Sequence, residues 1–447
     1  MLFDQLPLEI ISFIVGQLEE LDVGEKPHSQ FWETPKDTLV HLRTNLYDQA
    51  DYMNWLLFTN GSRNNICNAR LVCRAFYNGS FKSFGKLLGD RRIRITKTGI
   101  HDLDCIGNAI YLNPYIQTLT FGTAGFLDSN HANVQDCLQK LNPSDSSRLL
   151  SAYRICSEWQ RRTNKNQLRI ILRAMLQVFP NLQRLRIVHQ DVPVNHLGVW
   201  LHHESDRRLV DSVQEEIGSL YSNELAKECF EHLFIALHYA KIRIRDFRVS
   251  CGKVNNIHLR SLINYYLPSL TDLRTFRIPV AGMHLLPKPN ATQTTITKML
   301  IGAPHLEDLS LIVNHGLLRD YPHNVTDIEL HNSIEFSTHV FATLSNHMKL
   351  RRVAFTKGWA FHEDALIAFI HRHSSSLRCV VLEYPYLVTG CWKSALHRIS
   401  KMEELDLEFL GVRWPLQRNG DDGKALGEGT PVFKFPVDLD VSCLAAL

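Results

Sequence analysis

The sequence predicts an α/β solenoid, a chain of alternating helices and parallel strands, preceded by a small all-α segment. An apolar-x-x-apolar-x-apolar pattern recurs between residues 116 and 407, and helical stretches precede most of its copies. The alternation that ends each copy is typical of a short strand with one buried face. A separate apolar stretch, LPLEIISFIVGQL, stands at residues 6–18 and has the composition of a helix.

The N-terminal stretch is apolar over more of its circumference than a surface helix needs. Pro7 suits the first helical turn, and Glu9 is favoured near the positive end of the helix dipole. The apolar residues cover roughly 220° of arc, whereas a surface helix needs only roughly 100°. A signal peptide is disfavoured because Asp4 and Glu9 stand where positive charge is expected. A buried core helix and a helix with a second face for a partner both remain open.

The repeated pattern alternates with helices at least seven times. Its eight copies are Ile116-Leu119-Phe121, Leu182-Leu185-Ile187, Ile244-Phe247-Val249, Leu273-Phe276-Ile278, Leu306-Leu309-Leu311, Leu350-Val353-Phe355, Leu377-Val380-Leu382 and Met402-Leu405-Leu407. The predicted helices occupy 168–179, 224–240, 258–267, 294–303, 338–348, 362–373 and 392–400. A doubly wound α/β domain with a small-molecule site is the alternative, but it predicts a glycine-rich phosphate loop, and neither common form of that motif occurs.

These repeats resemble leucine-rich repeats, in which parallel strands line a concave face and helices lie outside. The asparagine of that family is matched once, by Asn314, so the resemblance implies an irregular horseshoe. We expect this domain to span 89–447, with insertions near 122–167 and 188–240. The tail after Gly411 is expected to form a C-terminal cap, which a solenoid needs to cover its last apolar face.

A second compact motif, NNICNARLVCRAFYNGSFKSFGKLL, occupies residues 64–88. Its residues Ile66, Ala69, Val72, Cys73, Phe76 and Phe81 can form one apolar face at helical spacing. Together with the first stretch it resembles the F-box. The matching residues are Leu6, Pro7, Glu9, Ile10, Ile14, Leu18, Arg70, Leu71, Val72, Cys73, Arg74 and Phe76. The F-box is therefore predicted at 1–88, with an insertion at about 19–63 where the family has a few residues, which loop closure tolerates.

The F-box resemblance implies a partner, a Skp-type adaptor and through it a cullin. The chain would then be the non-catalytic substrate-recognition subunit of a Skp–cullin–F-box ubiquitin ligase, with an unknown protein substrate on the repeat region. The residues expected to bind the adaptor are Leu6, Pro7, Ile10, Ile14, Leu18, Leu71 and Val72. The alternatives are a helical cap that buries the same residues within the chain, a repeat scaffold without ligase function, and a hydrolase, for which no G-x-S-x-G motif is present.

The substrate is expected on the concave face, which residues flanking the middle apolar position of each strand would line. Arginines dominate the early strands, at Arg184, Arg186, Arg248 and Arg277, and acids dominate the last pattern, at Glu404 and Asp406. A column of Arg186, Arg248 and Arg277 would suit carboxylates or a phosphate, which guanidinium groups bind in bidentate fashion. Ordinary solvation of surface charge is the alternative interpretation.

Composition excludes several other functions. The 447 residues carry 49 Lys+Arg and 46 Asp+Glu, a net charge of +3, so no overall nucleic-acid signature exists. We expect no membrane span, because no apolar run reaches about 18 residues. Ten cysteines without C-x-x-C indicate reduced thiols of an intracellular protein, in the cytoplasm, the nucleus or both. H-E-x-x-H is absent, and no metal or cofactor is expected.

Overall fold

The computed structural model describes the larger part of the chain. The described residues are 6–19, 60–89, 92–94, 97–122, 147, 158, 162, 165–189, 223–251, 268–281, 290–314, 327–356, 359–383, 385–413 and 416–417. They fall into two compact units, the first extending to Ile242 and the second starting at Arg243, apart from residues 250–252, which belong to the first. No helix among the described residues is long and apolar enough to cross a membrane.

The first unit begins with four helices: α1 Leu8–Gly16, α2 Asn60–Val72, α3 Arg74–Gly79 and α4 Phe81–Gly89. Their core is a cluster of Ile11 and Val15 from α1, Ala69 from α2 and Phe76 from α3. Helix α1 approaches the end of α3 closely, because a Cβ atom on Gly79 would lie 2.5 Å from Cγ2 of Ile11. The close packing of α1 on α3 therefore needs glycine at this position.

The same unit continues with an α/β portion. Its elements are β1 Arg92–Arg94, α5 Lys97–Gly107, a 3₁₀ turn Asn113–Tyr115, β2 Thr118–Gly122, α6 Lys165–Gln177, β3 Arg184–His189 and α7 Asn223–Ala240. The strands form a parallel sheet in the order β1-β2-β3. Register places Leu119 beside Leu185 and Phe121 beside Ile187, so the apolar positions of consecutive repeats form buried rows.

The second unit repeats this arrangement. Its strands and helices are β4 Asp246–Cys251, β5 Thr275–Ala281, α8 Asn290–Ile301, β6 Asp308–Asn314, α9 Asp327–Leu344, β7 Arg352–Thr356, β8 Ala360–His362, α10 Glu363–Arg372, β9 Cys379–Glu383, β10 Tyr386–Thr389, α11 Trp392–Ser400, β11 Phe409–Arg413 and β12 Leu416–Gln417. The main sheet is parallel, in the order β4-β5-β6-β7-β9-β11. Register joins Phe276, Leu309, Val353 and Val380 in one buried row.

One backbone contact recurs at the start of these strands. The carbonyl of Arg245 accepts the amides of Arg274 and Thr275, and the carbonyl of Arg351 accepts those of Arg378 and Cys379. The same double acceptance occurs in each intervening repeat of the second unit. Each repeat therefore sets the register of the next, which explains why strands separated by helices of different length still align.

A second, smaller sheet was not predicted from the sequence. Strands β8, β10 and β12 pair in parallel in the order β12-β10-β8. The outer edge of β8 is occupied by two hydroxyls from α9: Ser333 Oγ accepts the Ala360 amide at 3.1 Å, and Ser337 Oγ donates to the Ala360 carbonyl at 2.7 Å. Because these serines satisfy the edge, they end the small sheet at β8.

The last predicted strand is wrong in position. The pattern Met402-Leu405-Leu407 was expected to form it, but β11 begins at Phe409 and pairs Leu410 with Val380. The carbonyl of Arg378 accepts the amides of Glu408 and Phe409. The middle apolar position of the strand is therefore Leu410 and not Leu405, five residues later than predicted. Residues 418–447, which make up most of the predicted C-terminal cap, lie outside the described residues, as do the predicted helix 258–267 and most of the three predicted insertions.

Candidate functional site

Helix α1 buries only part of its apolar surface. Ile11 and Val15 are inside the helical core, whereas Ile10 is 47% exposed and Phe13 is 67% exposed. Ile14 is also exposed, and spacing of three and four residues places it on the same flank as Ile10 and Phe13. Leu8 is exposed as well. The excess apolar surface seen in the sequence is therefore open on a folded helix.

The end of α2 presents a second set of open apolar residues. Leu71 is 84% exposed and Val72 is 61% exposed. The helix stops at Val72 because Cys73 adopts an extended conformation, with φ −163° and ψ 174°, and α3 starts at Arg74. The prediction that Val72 lies on one apolar face with Ile66 and Phe76 is therefore wrong. The helix is interrupted at Cys73, and the Val72 side chain is exposed.

Five of the seven predicted adaptor residues are exposed, and two are not. The exposed ones are Pro7, Ile10, Ile14, Leu71 and Val72. Leu6 and Leu18 are half-buried and pack against the apolar core of helices α1–α4. The prediction omitted Phe13 and Leu8, although the arc of apolar residues around α1 could have indicated both. These residues were left out because the motif comparison, and not the helical wheel, selected the set.

The two ends of the long insertion are held close together. The Ser62 hydroxyl donates to the Leu18 carbonyl. The Glu19 carboxylate accepts hydrogen bonds from Ser83 Oγ and Lys86 Nζ, each at 2.6 Å. Leu18 also packs against Ile66 of α2. The two motif halves are therefore joined directly in the fold despite the residues between them in sequence.

A groove of about 530 Å³ lies beside the open flank of α1. Leu8 and Phe13 line it from α1, and Phe81 and Tyr115 line it from the opposite side. Lys82 also reaches it and is exposed. Sequence reasoning did not predict this groove, because Tyr115 comes from the 3₁₀ turn that packs on α4 only in the folded chain.

Two arginines of the predicted substrate face lie in β3 of the first unit. Arg184 is half-buried, and Arg186 is only 1% exposed. The Cα partner of Arg186 in the neighbouring strand is Thr120, which is also buried. The expectation that Arg186 stands on an open surface is therefore wrong. Alternation along a strand predicts which face a side chain is on, but not whether that face is covered.

In the second unit, Arg248 and Arg277 are paired in register, as the predicted column requires. However, both carboxylate oxygens of Asp246 accept hydrogen bonds from Arg248, each at 2.9 Å. Burial alone would lower the pKa of Arg248, but the Asp246 carboxylate raises it above its ordinary value. The neighbouring strands carry another pair, Arg352 with Asp308 at 3.7 Å. This face is therefore largely neutralised by its own carboxylates.

Glu404 and Asp406 do not lie on a strand. Both precede β11 and are exposed, which corrects their expected place on the last strand of the face. Glu404 accepts a hydrogen bond from Ser374 Oγ at 3.4 Å, and Asp406 lies 3.7 Å from Nε of Arg378. Neither residue therefore lies on a strand of the predicted substrate face, where they were expected to form its acidic end.

No group of three or more metal-ligating side chains is found among the described residues. Burial raises the pKa of the Cys379 thiol to about 12, so it stays protonated near neutral pH. No protein-family model matches the chain, and no curated protein matches it in sequence.

Proposed function

We propose that the chain is the non-catalytic substrate-recognition subunit of a Skp–cullin–F-box ubiquitin ligase. In this proposal α1–α4 form the F-box, which binds a Skp-type adaptor. The α/β portions form an irregular leucine-rich-repeat solenoid, which holds the substrate. The observation that carries the proposal is the division of the two F-box-like motifs into a buried half and an open apolar half.

The open half offers five exposed apolar side chains that a partner would bury. Burying one leucine, isoleucine or valine side chain contributes about 1.5–3 kcal/mol. Ile10, Phe13, Ile14, Leu71 and Val72 are all exposed in the chain by itself. Several large apolar side chains left exposed on four short helices favour an interaction surface. The interface core of the proposed complex would consist of these side chains.

The helical-cap alternative makes an opposite prediction about the same residues. A cap would bury Ile10, Ile14, Leu71 and Val72 within the chain, whereas these side chains are open. The direct contact of Ser62 with the Leu18 carbonyl also favours an F-box, because it joins the two halves across the insertion. We therefore favour adaptor binding over a purely structural role for α1–α4.

The experiment is a pull-down on immobilised Skp-type adaptor with the full-length chain. Replacing Leu6-Pro7 by Ala-Ala, or Ile10 by Asp, should abolish retention while the far-UV circular dichroism spectrum stays unchanged. Ile170→Asp is the matched control, since Ile170 is also an exposed apolar residue of the first unit, on α6. Equal retention of all variants would reject the F-box assignment, and retention that is lost in the control as well would indicate nonspecific adhesion.

For the substrate we propose the face of the second unit that carries Arg248 and Arg277. Proteins captured by the wild-type chain would be compared with those captured by Arg277→Glu, which leaves the Arg248–Asp246 pair intact. Loss of specific proteins, with adaptor retention unchanged, supports this face as the substrate site. An identical set of captured proteins would make it a solvated surface and leave the repeat scaffold as the better description of the second unit.

A further inference from the structure

Two strongly exposed apolar residues of helices α1–α4, Leu71 and Val72, lie where α2 ends and the backbone leaves the helical conformation. Leu71 and Val72 form the last helical positions of α2, and only Cys73 separates them from α3. Neither side chain packs in the core, so their own contacts cannot hold the end of α2 in place. Something else has to fix the direction in which they project.

Arg70, the residue immediately before them, makes the contacts that could do so. Its guanidinium carbon lies 4.3 Å from the ring centroid of Tyr77 in α3 and 3.9 Å from that of Phe84 in α4. Its NH1 group donates a hydrogen bond to Ser80 Oγ at 2.9 Å. Ser80 Oγ in turn donates to the Tyr77 carbonyl at 2.7 Å. One side chain therefore ties α2 to both following helices.

This arrangement depends on the shape of a guanidinium group. A flat cation can lie against aromatic faces and still donate hydrogen bonds within its own plane. A lysine ammonium carries the same charge, but it is a compact, strongly hydrated group without that plane. Arg74, four residues later in the same motif, is exposed and provides a natural comparison. The two arginines of the motif thus have different surroundings.

We propose that Arg70 is a positioning residue, which fixes the last turn of α2 on α3 and α4 and so holds Leu71 and Val72 in a binding-ready orientation. The identity of the partner rests on the proposed function, whereas the fixation is a property of the free chain. A chain that samples the competent orientation only part of the time binds more weakly by that fraction. Arg70 therefore acts on the adaptor without touching it.

The first test uses hydrogen exchange of the free full-length chain, read by mass spectrometry. Arg70→Lys and Arg70→Gln should raise the exchange rate of the amides at the end of α2 and the start of α3 by about tenfold, the loss expected for a stacked and hydrogen-bonded cation. Arg74→Gln should leave them unchanged. Tyr77→Leu, which removes one of the three rings near the guanidinium, should give an intermediate rise.

The second test measures association with purified Skp-type adaptor on a biosensor. Arg70→Lys should lower the association rate in proportion to the fraction of chains that leave the competent orientation, with the dissociation rate and the saturating amplitude unchanged, because the bound orientation is still attainable. Arg74→Gln should bind like the wild type. A role in folding alone would instead lower the amplitude and raise exchange throughout α1–α4.

The outcomes separate the two proposals. Wild-type exchange and association rates in Arg70→Lys would overturn the positioning role, and so would a loss of protection across all four helices. If the wild-type chain does not bind the adaptor at all, the proposed function fails. Exchange by itself then decides whether Arg70 fixes the end of α2, and a local rise supports that part of the inference.

Discussion

His373 makes the stability of the second unit sensitive to acid. It lies in the turn after α10, is 1% exposed, and neither of its ring nitrogens has a hydrogen-bond partner among the described residues. Phe369 lies against its ring, with 4.9 Å between centroids. Burial, helped by the nearby His347 and Arg372, lowers the pKa of His373 from 6.5 to about 4. The folded chain thus holds this imidazole neutral.

The sign of the effect follows from proton binding. Between pH 6.5 and pH 4, the unfolded chain protonates His373 and the folded chain does not, so acid favours unfolding. The contribution of His373 is therefore a loss of stability that begins as pH falls through 6.5 and is complete below the folded pKa. It amounts to about 2 kcal/mol at pH 5 and approaches about 3 kcal/mol below pH 4.

Urea unfolding at pH 7.5 and pH 5.0 measures this loss. His373→Leu removes the titrating group and keeps an apolar side chain, so it should lose about 2 kcal/mol less stability than the wild type between these pH values. His371→Leu is the matched control, because His371 is exposed on the same helix. If the wild type and His373→Leu lost equal unfolding free energy between pH 7.5 and pH 5.0, the acid sensitivity would not come from His373.

Three further predictions concern the fold. Glu363→Gln should destabilise by about 1–3 kcal/mol, because its carboxylate accepts three part-buried hydrogen bonds from the following repeat, whereas Asp364→Asn, on the exposed neighbour, should change stability by less than about 0.5 kcal/mol. Gly390→Ala should cost about 2 kcal/mol or more, since φ is +82° and a Cβ atom would lie 2.0 Å from the Glu363 carboxylate. Both are read by urea unfolding. Replacing 20–59 by a short Gly/Ser linker should preserve helical circular dichroism and adaptor binding, because the Ser62 contact already joins the ends; loss of either contradicts this.

The repeated strands were predictable because each one buries alternate residues against its own helix. Seven of the eight patterns fall in β2–β7 and β9, and their apolar positions align across neighbouring strands. The eighth strand was predicted at the wrong position because two alternations of apolar residues follow each other closely, Leu405-Leu407 and Leu410-Val412. Backbone pairing with β9 selects the later one, and this choice depends on a neighbour that sequence spacing does not show.

The site was predictable in part. The F-box resemblance selected Ile10, Leu71 and Val72, and the structure leaves all three exposed. The small second sheet has strands of only two to four residues, too short for a visible alternation.

The contact of Arg248 with Asp246 could have been predicted from the sequence, since residues two apart on a strand share a face.

Adaptor binding through the open apolar residues of α1 and α2 can be measured by calorimetric titration of the purified full-length chain with a purified Skp-type adaptor. We predict saturable binding with one adaptor per chain, which the double variant Leu71→Asp, Val72→Asp loses while its thermal unfolding midpoint stays unchanged. Absence of binding by the wild-type chain, or unchanged affinity of the double variant, would show that these residues do not bind such an adaptor.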